Sequence, residues 1–157
     1  METGLLQFYV GDGKGKTTAA IGQIVRAHGA GLKCAMYQFL QADPAGETEA
    51  LAALGVPVER AEGAFARPVE EMSPSERGAF FMAQRALYTK AVRAIRSESY
   101  DVVALDGILD LLQLGALDLD ALYMALTGPP GSRCSSPAGR CRASSTTSPG
   151  TSPPCAP

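Results

Sequence analysis

Gly11-Asp12-Gly13-Lys14-Gly15-Lys16-Thr17-Thr18 follows the apolar run Leu5-Leu6-Gln7-Phe8-Tyr9-Val10 and leads into Ala19-Ala20-Ile21-Gly22-Gln23-Ile24-Val25-Arg26-Ala27. That order reads as strand, glycine-rich loop and helix, the setting of a phosphate-binding loop. Glycines at 11, 13 and 15 can take positive φ and let backbone N–H groups converge on an anion. A helix starting near Lys16 adds its unpaired N-terminal donors and the positive end of its dipole. Lys16 offers a point charge to the outer phosphates, and Thr17 a hydroxyl suited to Mg²⁺. The stretch is a nucleoside triphosphate site on an α/β scaffold.

Its spelling is unusual. The general pattern places four residues between its first glycine and Gly-Lys-Thr; counting back from Gly15 reaches Val10, so Gly11 comes one residue late and Lys14 adds a cation inside the loop. The spacing points to a specialised grip on phosphate.

The 157 residues suit one domain. No run of 18 apolar residues and no basic, apolar leader is present, so the expectation is a cytoplasmic protein that makes no membrane contact. A formal net charge of −2 without a basic block argues against nucleic acid as a partner. Cys34, Cys134, Cys141 and Cys155 match neither a zinc spacing nor a compact disulfide framework. Cys34 reads as a small buried apolar residue, and His28, the single histidine, as a helix-end residue.

The composition changes near Gly128. Residues 128–157 hold no Leu, Ile, Val, Met, Phe, Tyr or acid, and nothing in them offsets the entropy of ordering. They are expected to form a disordered tail after a domain at 1–127. Arg133, Arg140 and Arg142 are the tail's only charges, which leaves 11 bases against 16 acids, a net −5, in the folded part.

Within 1–127 strands and helices alternate. Lys33–Leu40 reads as a buried strand, Thr48–Leu54 as a short helix ended by Gly55, and Val56-Pro57-Val58 as the start of an extended piece. Ser73-Pro74-Ser75-Glu76 combines a capping box with proline at the first helical position. Beyond it, Phe80, Ala83, Leu87, Ala91 and Ile95 form one apolar face for the core or a subunit contact. Tyr100-Asp101-Val102-Val103-Ala104-Leu105-Asp106 reads as a strand that delivers an aspartate to the Mg²⁺ side of the phosphate loop. A last helix over Leu119–Leu126 has Asp118 as its cap. The fold class is α/β: a P-loop, RecA-like, mostly parallel sheet of three or four strands with helices on both faces, its C-terminal part truncated or replaced by the tail.

These residues together resemble the P-loop ATP:corrinoid adenosyltransferases of cobalamin biosynthesis and salvage. The likeness runs over about residues 4–127. It rests on the loop Gly11–Thr18 with its Ala-Ala, on Arg26 and Gly29, and on Gln38-Phe39, Gly46-Glu47, Gly63-Ala64-Phe65 and Val102–Asp106 in the family's order. The resemblance implies that ATP gives its 5′-deoxyadenosyl group to Co(I) of a corrinoid and releases triphosphate. Cobalt is then the nucleophile, and no catalytic Ser, Cys or His is needed. It implies ATP binding by Gly11, Asp12, Gly13, Lys14, Gly15, Lys16, Thr17, Thr18 and Arg26, Mg²⁺ at Thr17 and Asp106, and Phe39 and Phe65 facing the corrinoid. A homodimer and a flavoprotein that reduces cobalt are the implied partners. A P-loop kinase or hydrolase, or an inactive nucleotide-binding remnant, are the competing readings.

The chain departs from the family's pattern at three positions: Gly107 stands for a glutamate after Asp106, Gln41 for a lysine, and Arg67 for a tryptophan. Restoring acid with Gly107→Glu is therefore expected to improve Mg²⁺-dependent turnover. A further strand with a Thr-Gly-Arg motif is replaced by the tail. Arg133–Arg140 can be written CGG TGC TCA TCA CCG GCC GGT CGN, which read from its third base gives Val-Leu-Ile-Thr-Gly-Arg-Ser. The tail is thus compatible with a frameshift.

Overall fold

The computed structural model describes residues 6–11, 13–41, 46–62, 68–97 and 99–127; the expected tail and Phe65 lie outside them. Helix α1 (Lys16–Gly29) is followed by β1 (Cys34–Gln38), α2 (Gly46–Ala53), β2 (Val58–Arg60), a 3₁₀ turn (Val69–Glu71), α3 (Pro74–Arg96), β3 (Val102–Asp106), α4 (Ile108–Gln113) and α5 (Leu119–Thr127). The three strands form a parallel sheet in the order β2-β1-β3. Cys34 pairs with Val102 at one end of the register and Gln38 with Asp106 at the other. The chain thus passes from β1 to β2 on one side and then, through α3, crosses back past β1 to lay β3 on the other side. In such sheets the crevice beyond the carboxyl ends, at that reversal, is where ligands sit.

Residue alternation along the strands decides which helices cover which face. Cys34 and Met36 with Val102 and Ala104 pack with Ile24 of α1 and Leu51 of α2. Ala35 and Tyr37 with Val103 and Leu105 pack with Leu87, Ala91 and Ile95 of α3, and with Leu111 and Leu122 beyond. Both faces are therefore covered, and every residue of β1 and β3 is buried. That double burial explains the near-continuous apolar spelling of these strands.

Helix α3 starts as its spelling dictates. Ser73 accepts from the Glu76 N–H at 3.3 Å, and the Glu76 carboxylate accepts from the Ser73 N–H at 2.8 Å. Two N-terminal donors are satisfied, and Pro74 needs none. The buried side of α3 is Phe80, Gln84, Leu87, Ala91, Ala94 and Ile95, a core face. Gln84, a polar residue, takes the place expected for Ala83. In α5, Asp118 accepts from the Asp120 N–H at 2.7 Å, the expected cap.

One expected strand is absent. Leu6–Val10 belongs to no strand, and Phe8 and Val10 are 51% and 64% exposed. A strand exists only through hydrogen bonds to a neighbour, and none of the three described strands pairs with this segment. Helix α4, directly after β3, and the 3₁₀ turn were not expected, being short and without strong apolar periodicity. Among the described residues no helix is long and apolar enough to cross a membrane.

Burial against the sheet pushes the Tyr37 hydroxyl up from 10.0 to about 12, with Glu59 and Tyr100 adding to the shift. The folded state holds this proton where the unfolded chain releases it. Its contribution to stability is therefore full below pH 10 and is lost as the pH climbs towards about 12. Chemical denaturation across that window is expected to show Tyr37→Phe losing less stability per pH unit than the wild type. Parallel curves would contradict the assignment.

Candidate functional site

Gly15 takes φ +103° and caps α1 without a side-chain hydrogen bond, and no acid occupies the helix's first turn. A residue with a Cβ would be strained in that conformation. The first-turn N–H groups are consequently presented without a carboxylate competing for them, which suits an anion. The Lys16 ammonium folds back over the loop, donating to the Gly11 carbonyl at 2.7 Å and the Gly13 carbonyl at 2.8 Å. An ammonium has three donors; among the described residues these carbonyls take two of them, leaving one to meet an incoming oxygen.

In the first turn of α1, the Thr17 hydroxyl lies 3.1 Å from each carboxylate oxygen of Asp106. Asp106 is the last residue of β3 and only 2% exposed. The contact bridges 89 positions of sequence and exists because α1 packs on the sheet face to which even-numbered residues of β3 point. Gln38, its register partner on β1, is also buried, and its amide donates to Glu47 of α2 at 3.4 Å.

These groups border a cavity of about 340 Å³ at the carboxyl end of the sheet, within the range of small-molecule sites. Gly13, Lys14, Gly15, Lys16 and Thr17 form one wall, Phe39, Leu40 and Gln41 a second, and Asp106, Gly107 and Asp110 a third. The loop, the end of β1 and the end of β3 thus meet at the sheet's reversal. Leu40 adopts φ +62°, an uncommon conformation for a branched residue. The buried Gln84 holds it there by accepting its N–H at 3.3 Å.

The family model for ATP:corrinoid adenosyltransferase BtuR/CobO/CobP matches residues 2–135. This chain belongs to that family. Among curated relatives, the corrinoid adenosyltransferase of Escherichia coli (strain K12) is 31% identical over 130 residues, covering 82% of this chain and 64% of its own length. Corrinoid adenosyltransferase CobA of Salmonella typhimurium (strain LT2) is 30% identical over 131 residues, with 83% and 64% covered. The chain thus spans somewhat under two thirds of the length of these relatives.

In this member of the adenosyltransferase family the structure gathers some of the expected residues and leaves others aside. Gly13, Lys14, Gly15, Lys16, Thr17, Phe39 and Asp106 all border the cavity. Gly11 contributes its carbonyl to Lys16, and Asp12 and Phe65 lie outside the described residues. Thr18 is exposed on α1 and does not border the cavity. Arg26 sits in the last turn of α1, roughly 15 Å along the axis from Lys16 at the rise of an α-helix, and is not brought to the cavity. Phe39 borders the cavity but is 1% exposed and belongs to the core cluster with Leu87 and Leu111.

Gly107 overturns the expectation that an acid could be restored there. Its φ is +78°, and a Cβ would lie 2.7 Å from the backbone oxygen of Phe39. That backbone is anchored, because the Phe39 N–H donates to the Asp106 carbonyl at 2.8 Å. Sequence reasoning also missed Asp110, Leu40 and Gln84 as parts of the site. Leu40 reads only as the apolar end of the Lys33–Leu40 strand, and Gln84 is a polar residue outside the apolar face read for α3. Asp110 sits three residues past Gly107 in a helix that was not foreseen.

Proposed function

We propose that the chain is an ATP:corrinoid adenosyltransferase that transfers the 5′-deoxyadenosyl group of ATP to Co(I) of a corrinoid. The observation that carries this reading is the convergence of Lys16, Thr17 and Asp106 on one cavity in a chain whose family acts on ATP and corrinoids. In the reaction the Co(I) electron pair attacks C5′ of the ribose. The Co–C bond forms, the C5′–O bond breaks, and triphosphate leaves with the bonding pair.

The chain's residues serve the leaving group. The open first turn of α1 and the third donor of Lys16 hold phosphate oxygens and offset the charge that develops as C5′–O breaks. Lys14, within the loop, adds a second positive charge at the same wall. The Thr17 hydroxyl and the Asp106 carboxylate are hard oxygen donors held together at the cavity floor, a set that fits Mg²⁺. When bound, Mg²⁺ neutralises triphosphate charge. The corrinoid binds over the mouth of the cavity, and reduction of its cobalt falls to a separate electron donor such as a flavoprotein. The same reading makes the protein a cytoplasmic homodimer.

An anaerobic assay with Mg-ATP and cob(I)alamin tests this. Adenosylated corrinoid together with free triphosphate is the expected product pair. Release of ADP and phosphate without Co–C bond formation would replace the reading with a hydrolase.

A further inference from the structure

We infer that Asp110 supplies the second carboxylate that positions the nucleotide's divalent metal, a task position 107 cannot perform in this chain. The inference rests on the nucleotide site proposed above. Directly after β3 the backbone turns through Gly107 in the left-handed conformation, and the space a side chain would need holds the Phe39 carbonyl. The first residue beyond Asp106 with a carboxylate is Asp110, in the first turn of α4. Four residues on from Asp106, it borders the same cavity, together with Lys16 and Thr17.

Charge gives the reason for a metal between these groups. Both Asp106 and Asp110 face a space whose opposite wall is built to take a polyphosphate. Two carboxylates there repel a bare triphosphate, and a divalent ion converts that repulsion into attraction. The Asp106 oxygens are both within reach of Thr17, so a further carboxylate adds a donor to the metal or to its water shell. Asp110 is a positioning residue: it acts on phosphate through the ion.

The test uses the full chain with Mn²⁺ as the probe metal and ATP. Manganese EPR reads the Mn²⁺ concentration at half-formation of the ternary complex, and calorimetry reads ATP affinity with and without metal. Asp110→Asn is expected to raise the Mn²⁺ midpoint about 10- to 100-fold, the usual effect of losing a supporting ligand. ATP affinity in the presence of EDTA is expected to stay the same or tighten. Asp110→Glu should stay near wild type, and Asp110→Ala should repeat the Asn result if the Asn variant folds poorly. An unchanged midpoint in folded Asp110→Asn, with the wild type binding Mn-ATP normally, would overturn this inference and leave the phosphate site standing. If the wild type itself shows no metal-dependent ATP binding, the site reading falls, and this inference with it.

Discussion

Lys16→Ala is expected to lower ATP affinity by about a hundredfold, towards the top of the roughly 1.5–3 kcal/mol contributed by a hydrogen bond to a charged group. The size follows from where the ammonium sits. It is held over the loop by the Gly11 and Gly13 carbonyls at 2.7 and 2.8 Å, so its charge is already in place when phosphate arrives and little ordering remains to be done. Alanine removes that charge and also the tie across the loop. Lys16→Arg should not rescue binding, because a planar guanidinium cannot replace a compact ammonium between two carbonyls. The free protein should melt nearly as before, since both contacts are exposed to water and worth only about 1 kcal/mol together. Mg-ATP at a hundred times the wild-type Kd should then stabilise the wild type by about 2.7 kcal/mol and the variant by only about 0.4 kcal/mol or less. Equal ATP affinity in the two proteins would contradict the placement of the phosphates.

The second large effect is on stability. Gly107→Glu is expected to cost about 2–5 kcal/mol, combining about 1–2 for a left-handed L residue with about 1–3 for overpacking. The clash is with backbone: a Cβ falls 2.7 Å from the Phe39 oxygen, and Phe39 is itself bonded to Asp106 across the β1–β3 pair. Relief requires the two strands to part where the cavity forms. Against a total of about 5–15 kcal/mol for a domain, such a loss is a large fraction. Gly107→Ala should share most of it, because both penalties arise at Cβ and neither at the carboxylate. Urea midpoints of the two variants check this directly. A Gly107→Glu protein that unfolds with the wild type would mean that the turn after β3 is not the one described.

The sheet's faces were readable because their signal is local. The near-continuous apolar runs Lys33–Leu40 and Tyr100–Asp106 announce the buried strands observed at Cys34–Gln38 and Val102–Asp106, and the Ser73–Glu76 box announces a helix start from four residues. The Leu6–Val10 segment misled for the complementary reason. Its composition suits a strand, but pairing is a property of a neighbour, and no described strand lies beside it. Arg26 shows the limit of carrying a pattern along a helix: the resemblance puts it at the ATP, yet ten residues of α1 separate it from Lys16.

Local chemistry alone determined that a glycine-rich loop opens a helix here, with Gly15 at a left-handed cap, Lys16 and Thr17 in the first turn, and an aspartate closing a buried strand. Each of these depends on residue type and near-neighbour spacing. Only the tertiary structure decided that Thr17 meets Asp106, that Gln84 holds Leu40 in a strained turn, and that Asp110 shares their cavity while Gly107 cannot carry a side chain. These are contacts between segments tens of residues apart, created when α1 and α3 cover opposite faces of one sheet, and no spacing along the chain encodes them.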